Sequence, residues 1–359
     1  MTLDAKPPSK IRSAEDGWLD MSGFLDQAYG FVPLVVPITE PAVGFGAAGG
    51  VAFIDKPMSA AADGFGRPNI TALGGVATDN GTWGLAAADI RRWMDDRLQT
   101  QVGLVYASVN LDYFGDGKND RLAHDPLTYH LEPVGGGVGA KYRMGSSNFW
   151  LGAMYAIATT EVSFDSDSSP FLPDFTSTSR VGGVIPSFTF DNRDNMFTPT
   201  RGTYVEATVG VFSEALGGDS EFQRAGIIAM QFVPITSTLT LGVRADATFS
   251  FGDTPFYMLP YIGLRGAPVM RYQGEDAADI EAEIRWQFWK RFSVVGFAGA
   301  GAAWTDLERF ENEKNVATGG FGFRYELARK YGIHMGVDIA FGPDVTAFYV
   351  QFGSAWARP

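Results

Sequence analysis

The chain has 359 residues, with 44 glycines, 14% aromatic residues, no cysteine and a net charge of −13 at neutral pH. The missing cysteines exclude disulfide frameworks and thiolate metal sites, the acidic balance argues against nucleic acid as a partner, and no run of eighteen apolar residues exists to form a membrane-spanning helix. The opening "MTLDAKPPSK" has no apolar stretch of the kind a signal peptide needs, so the chain is either not exported or a mature sequence with a start Met added.

Residues 14–29 place Trp18, Met21, Leu25 and Tyr29 on one helical face and Asp16, Asp20 and Asp26 elsewhere. That spacing fits a short amphipathic helix; an unordered leader is the alternative. Beyond residue 42 helical spacing gives way to alternation. Strands are predicted over 43–53, 69–77, 82–93, 98–111, 128–143, 148–164, 180–192, 203–214, 221–233, 237–250, 257–265, 279–289, 291–304, 317–328, 331–341 and 345–356, sixteen in all. Turn chemistry separates them, as at Asp79-Asn80-Gly81, Gly145-Ser146-Ser147, Gly217-Gly218-Asp219 and Gly342-Pro343-Asp344. The alternation is two-faced: Glu281, Glu283, Arg285 and Gln287 share one parity, and Ala282, Ile284, Trp286 and Phe288 the other.

A soluble sandwich also alternates, but its strands are usually about five or six residues long. Strands of about 9–11 residues, repeated at even spacing without a linker, fit a transmembrane barrel. Trp83, Trp93, Trp150, Trp289, Trp304 and Trp356 stand near strand ends, where interfacial girdles form. The fold class predicted is all-β: a sixteen-stranded antiparallel transmembrane barrel over 43–359, preceded by an N-terminal periplasmic or plug segment over 1–42. The charged, glycine-rich inward parity predicts a lumen that is wet or plugged. Short turns should line one rim and long loops the other. The segments 112–127 and 165–179 break that rule, being long where short turns are expected.

"PYIGLRGAPVMRYQG", Pro260 to Gly274, sets Arg265-Gly266 between the eleventh and twelfth runs. "FDNRDNMFTPTRGTYVEATV" carries Asp191, Arg193, Pro199 and Gly202 in the spacing Asp-x-Arg-x-x-x-x-x-Pro-x-x-Gly. With "EAEIRWQF", "VVGFAGAGAAW", "GGFGFRYEL" and the early "GFVPLVVPITEPAVGFGAAGG", this ordered set resembles the BamA/TamA family of outer-membrane assembly barrels, also called the bacterial surface-antigen family, in its short form without POTRA domains. The resemblance implies an arginine on the sixth extracellular loop that folds into the lumen and pairs with an acid and an aromatic on strands twelve and thirteen. Arg265 matches that arginine, with Gly266 after it. The family's aromatic-spacer-aspartate matches Phe297, Ala298 and Gly299, so the aromatic is kept and the acid lost. Glu281 or Glu283 is the expected substitute, with Phe297 offering a cation–π face. The plain alternative is an arginine in solvent at the rim.

His124, His130 and His334 are scattered, and a barrel hydrolase needs serine, histidine and an orienting group within hydrogen-bond reach; lumen-lining polarity is the expectation. "DYFGDGKND", Asp112 to Asp120, lacks the closing glutamate of a calcium loop and reads as a solvated turn. The final parity of Phe348, Val350, Phe352 and Trp356 predicts a lipid-facing last strand, and the resemblance implies that Trp356, displaced from the end by Ala357 to Pro359, is an aromatic assembly signal.

These readings point to no enzyme, metal or cofactor. They imply a bacterial outer-membrane barrel, its signal peptide removed, with membrane lipid as its surroundings and substrate polypeptides or a periplasmic accessory protein as partners. It would insert or translocate polypeptide or lipid through a lateral seam or a loop-gated lumen. A passive channel for small solutes is the alternative, and a structural surface barrel a third. The first two ask for the same wet, charged interior.

Overall fold

The computed structural model describes residues 11–13, 15–26, 30–55, 68–115, 122, 126–164, 175–305 and 314–356. Its strands are β1 (Gly30–Ile38), β2 (Gly46–Ile54), β3 (Ile70–Thr78), β4 (Trp83–Trp93), β5 (Leu98–Tyr113), β6 (Leu127–Arg143), β7 (Phe149–Phe164), β8 (Phe175–Asp191), β9 (Gly202–Phe212), β10 (Phe222–Pro234), β11 (Leu239–Gly252), β12 (Asp276–Trp289), β13 (Phe292–Trp304), β14 (Lys314–Ala328), β15 (Ile333–Phe341) and β16 (Thr346–Phe352). Each pairs antiparallel with the next, forming one sixteen-stranded sheet. The sheet is the wall of a transmembrane β-barrel.

The strand total of sixteen conceals two errors that offset each other. β1 lies inside the stretch expected to be a separate N-terminal segment, so the sheet begins at Gly30 rather than residue 43. Its Pro33 and Pro37 argue against a strand in the middle of a sheet, but proline is tolerated on an edge. Conversely, residues 257–265 form no strand. They belong to the connection between β11 and β12, with one 3-10 turn at Phe256–Met258 and a single bridge from Tyr261 to Gln273. An apolar run buried on every side by a lumen gives the same signal as a buried strand. Inserting β1 also moves the connections 114–126 and 165–174 onto the rim that carries 253–275. The irregularity expected there disappears.

Side-chain alternation sorts the wall. β12 turns Ile280, Ile284, Trp286 and Phe288 outward, all exposed, and buries Asp279, Glu281 and Glu283 inward. Trp83, Trp93 and Trp289 are exposed on the outer face, but Trp150 and Trp356 are buried inside. The inward parity is most densely charged over β9–β15; in the first half of the wall it carries Arg92 on β4 and Lys141 and Arg143 on β6, with Lys141 Nζ donating to Glu206 Oε2 at 2.6 Å. Carried across the register into β2–β7, it presents Gly50, Gly74, Ala86, Gly103, Gly137 and Ala156.

The segment before β1 is docked at the short-turn rim. One helical turn, α1 (Ser22–Asp26), replaces the longer helix expected; Ala14 and residues 27–29 lie outside the described residues. Met21 donates its N–H to Leu327 O at 2.7 Å. Met21 and Leu25 pack on Ala328, Tyr331 and Ile333, and Trp18 sits edge-on to Trp289 and Phe292 at 5.4 and 5.2 Å. Arg291, in the β12–β13 turn, is fully buried beneath the segment; its Nε donates to Asp16 Oδ2 at 2.8 Å and its Nη2 to Asp20 Oδ2 at 2.9 Å. The Arg291 guanidinium holds the Asp16 carboxyl down at about 2.

Candidate functional site: a loop tied inside the lumen

The 253–275 connection enters the lumen because its side chains leave it no better place. Phe256 packs edge-on against Tyr113 and Tyr129, both at 5.2 Å. Ile262, Leu264 and Ala267 form a buried cluster with Ala277, Ala303 and Val316 on the facing wall. Beneath that cluster lies Arg265.

Arg265 is 7% exposed and faces three carboxylates. Its Nε and Nη2 donate to Glu281 Oε1 at 3.1 and 2.8 Å, and its backbone N–H reaches Glu281 Oε2 at 3.3 Å. Its Nη1 lies 2.8 Å from Glu283 Oε2 and donates to Asp338 Oδ2 at 2.9 Å. The guanidinium plane covers Phe297, 3.6 Å from the ring centroid. Such a charge is tolerable without water only when every side of the fork is answered. All three partners named from the sequence, Glu281, Glu283 and Phe297, therefore meet Arg265.

Gly299 stands opposite Glu281 on β13. A Cβ there would lie 2.7 Å from Leu264 Cδ2 and 3.3 Å from Glu281 Cγ. The space for an aspartate is occupied by the loop's own leucine, and Glu281 delivers a carboxylate from the neighbouring strand instead. Gly266 has φ +90, and its N–H donates to the Tyr349 hydroxyl on β16 at 3.1 Å. A Cβ there would meet the backbone near Phe341 at 3.2 Å, so this turn requires glycine.

Sequence reasoning missed two members of the site. Asp338, on β15, is fully buried and also accepts two bonds from Arg324 of β14, at 2.6 and 2.8 Å. Both residues stand on the polar parity of their strands, and that was the available signal. The second omission is Trp356. Beyond β16 the chain turns at Gly353, φ +82, and enters the lumen. Trp356 packs on Phe232 and Met230, and its indole N–H donates to Glu281 Oε1 at 2.6 Å. Phe348 and Phe352 do face outward as expected, but Trp356 is no lipid-facing terminal aromatic.

The 192–201 turn forms a second constellation at the opposite rim. Arg193 forks onto Asp191, with Nε and Nη2 each 2.9 Å from a carboxylate oxygen, and stacks over Tyr204 at 4.4 Å. Pro199 is fully buried, and its carbonyl accepts from Arg285 at 2.9 Å. Gly202 has φ +106, and a Cβ on it would collide with the facing backbone, 2.6 Å from Asn192 O and 2.7 Å from Arg193 Cα. Phe197 O accepts from Ser354 N at 2.6 Å and Asn195 donates to Tyr331 O at 2.7 Å. The turn thus spans the mouth from β8–β9 to β15–β16 and braces the tail that carries Trp356. Asp191, Arg193, Pro199 and Gly202 lie together here, apart from Arg265.

Neither described histidine is a partner of Arg265. His334 is buried beside Thr198. His130 alternates with the inward Tyr129 and Leu131, so it faces out rather than into the lumen. Its Nδ1 is 2.8 Å from Asn110 Oδ1, and its Nε2 is 3.3 Å from Ser108 Oγ and 3.2 Å from Glu132 Oε1. Serine, histidine and an orienting amide are within reach after all, but Ser108 is buried and Glu132 competes for the same nitrogen, so the cluster is a cross-strand polar link. His124 and residues 116–120 lie outside the described residues.

Comparisons place this arrangement among known barrels. The fold is similar to "The crystal structure of BamA from Haemophilus ducreyi lacking POTRA domains 1-3", with TM-score 0.57 and 12% identity over 96% of this chain and 79% of that one. It is also similar to CdiB from Escherichia coli, with TM-score 0.61 and 9% identity over 90% of this chain, and to CdiB from Acinetobacter baumannii, with TM-score 0.56 and 10% identity over 90%. The chain spans 61% and 60% of those two CdiB chains. Among curated proteins no sequence matches. The model of the Omp85 superfamily domain matches residues 107–356, which include the 192–201 turn, the Arg265 loop and its partners, and the chain belongs to the Omp85 superfamily.

Proposed function

We propose that this outer-membrane barrel inserts or secretes polypeptide through the seam between β1 and β16, with the Arg265 loop holding the lumen closed on that side. Membership of the Omp85 superfamily supports protein insertion or secretion in general terms. The observation that carries the seam is the end of the sheet order: among the described residues no ladder joins β1 to β16, although the two strands approach within 8 Å between Cα atoms. The chemistry of β1 supports it. Pro33 and Pro37, four residues apart and so on one edge, cannot donate, which leaves that edge short of donors. An incoming strand can pair with the donors and acceptors that remain. The passive-channel reading fits less well, because the 253–275 loop fills lumen that a solute would need.

The absence of cysteine allows a clean test. Cysteine pairs are placed one on β1 (32–36) and one on β16 (348–352), oxidised, and introduced into cells depleted of the parent. Locked pairs are expected to abolish the protein's contribution to the outer-membrane protein census, and reduction to restore it. Full activity with the seam covalently shut overturns the lateral reading.

A further inference from the structure

We propose that the lumen contains a second site, independent of the seam, for a single-chain amphiphile headed by a carboxylate, in chemical class a fatty acid. The wall supplies the chain's environment. Beneath the loop lies a cavity of about 670 Å³, within the range of about 300–1,000 Å³ usual for small-molecule sites. Gly137, Ala156, Val181, Ile185 and Phe212 line it, and the loop's Met258 packs onto the buried cluster of Val181, Phe212 and Phe222 to cover one side. Tyr257, whose hydroxyl is 2.6 Å from Ser179 Oγ, holds that cover in place. Small and apolar residues here contrast with the charged wall of β9–β15, and a water-filled conduit gains nothing from them. An alkyl chain does.

Arg224 supplies the other half of the chemistry. It stands third in β10, lines the same cavity, and makes no hydrogen bond or ion pair with another described residue. Asp246 and Tyr261 act on it only at longer range. Every other inward arginine of β10–β14 has a protein partner: Arg244 binds Asp279, Arg285 binds Pro199 O, and Arg324 binds Asp338. A guanidinium at the edge of an apolar hollow answers a planar carboxylate bidentately. One chain fits the hollow, and one fork fits the head.

The test uses the full chain in neutral maltoside detergent with a spin-labelled fatty acid as probe. Micelles take up alkyl chains as readily as the cavity does, so chain length is fixed and the head group varied. An immobilised probe population is expected, displaced by dodecanoate about ten- to a hundredfold more effectively than by dodecanol. Arg224→Gln should erase that preference and Arg224→Lys keep part of it. Ala156→Leu, which fills the hollow, should abolish immobilisation by either head group, while heat-modifiable gel mobility shows each barrel folded. Absence of an immobilised probe, or a carboxylate preference that survives Arg224→Gln, overturns the site. Two-chain phosphatidic acid competing as well as dodecanoate overturns the single-chain assignment in favour of a lipid from the surrounding membrane.

Discussion

Arg265→Ala strands two buried acids: Glu281, which is 1% exposed, and Glu283, whose one ion pair among the described residues is with Arg265. Asp338 keeps both bonds from Arg324, but Glu281 loses both guanidinium bonds and keeps the Trp356 indole and the backbone N–H of residue 265, neither of which carries a charge. Removing one partner of a buried ion pair costs about 3–5 kcal/mol, which is about two to three and a half orders of magnitude in the ratio of docked to released loop. The outer wall does not depend on this contact, so the loss should be local. Trypsin cleavage after Arg271 measures it: in the docked loop Arg271 stacks on Phe114 at 3.7 Å and pairs with Asp344 at 3.1 Å. When opening is fast relative to cleavage, the rate tracks the open population, so cleavage should accelerate at least about a hundredfold while heat-modifiable mobility persists. Arg201→Ala, in the chain's other Arg-Gly pair and exposed, should leave the rate unchanged. Arg265→Ala with Glu281→Gln should recover part of the loss, since the double change removes one of the two stranded charges. Cleavage of Arg265→Ala within threefold of the parent refutes the claim that this arginine holds the loop.

Gly299→Asp, which installs the aspartate expected from the resemblance, should loosen the loop rather than tighten it, because the new side chain collides with Leu264 and repels Glu281; unchanged or slower cleavage after Arg271 contradicts this. Trp356→Phe keeps an aromatic against Phe232 but removes the indole donor from Glu281, at a cost of about 1–3 kcal/mol; the same proteolysis assay should show an intermediate rate, and no change means the tail does not brace the latch. Acid should free the N-terminal segment. Asp16 is held below its ordinary 3.8, at about 2, so its contribution is complete above the ordinary value and is lost as pH falls from about 4 toward 2. The difference in fluorescence between the parent and Trp18→Phe should follow that window, and a transition above pH 5 would show that Arg291 and Asp16 do not secure the segment.

How much of the site was legible depended on the kind of contact. Glu281 and Glu283 could be named because they share the inward parity of β12, and Phe297 because the family resemblance placed an aromatic on the next strand. Asp338 and Trp356 lie 73 and 91 residues beyond Arg265 in the chain, and only closure of the wall brings them to it. His130 shows the opposite limit, since its face depended on a register that polarity alone does not fix.

Alternation, with strand length and spacing, determined the barrel class and the inward and outward faces of β9–β15, because a two-residue period is a local property of extended backbone. Tertiary structure decided what the period could not carry. The prolines of β1 are tolerable only because that strand is an edge, and the apolar run 257–265 is buried by the lumen rather than by a sheet. Trp356 turns inward because Gly353 and the 192–201 turn redirect the chain's end toward a carboxylate that already needs a donor.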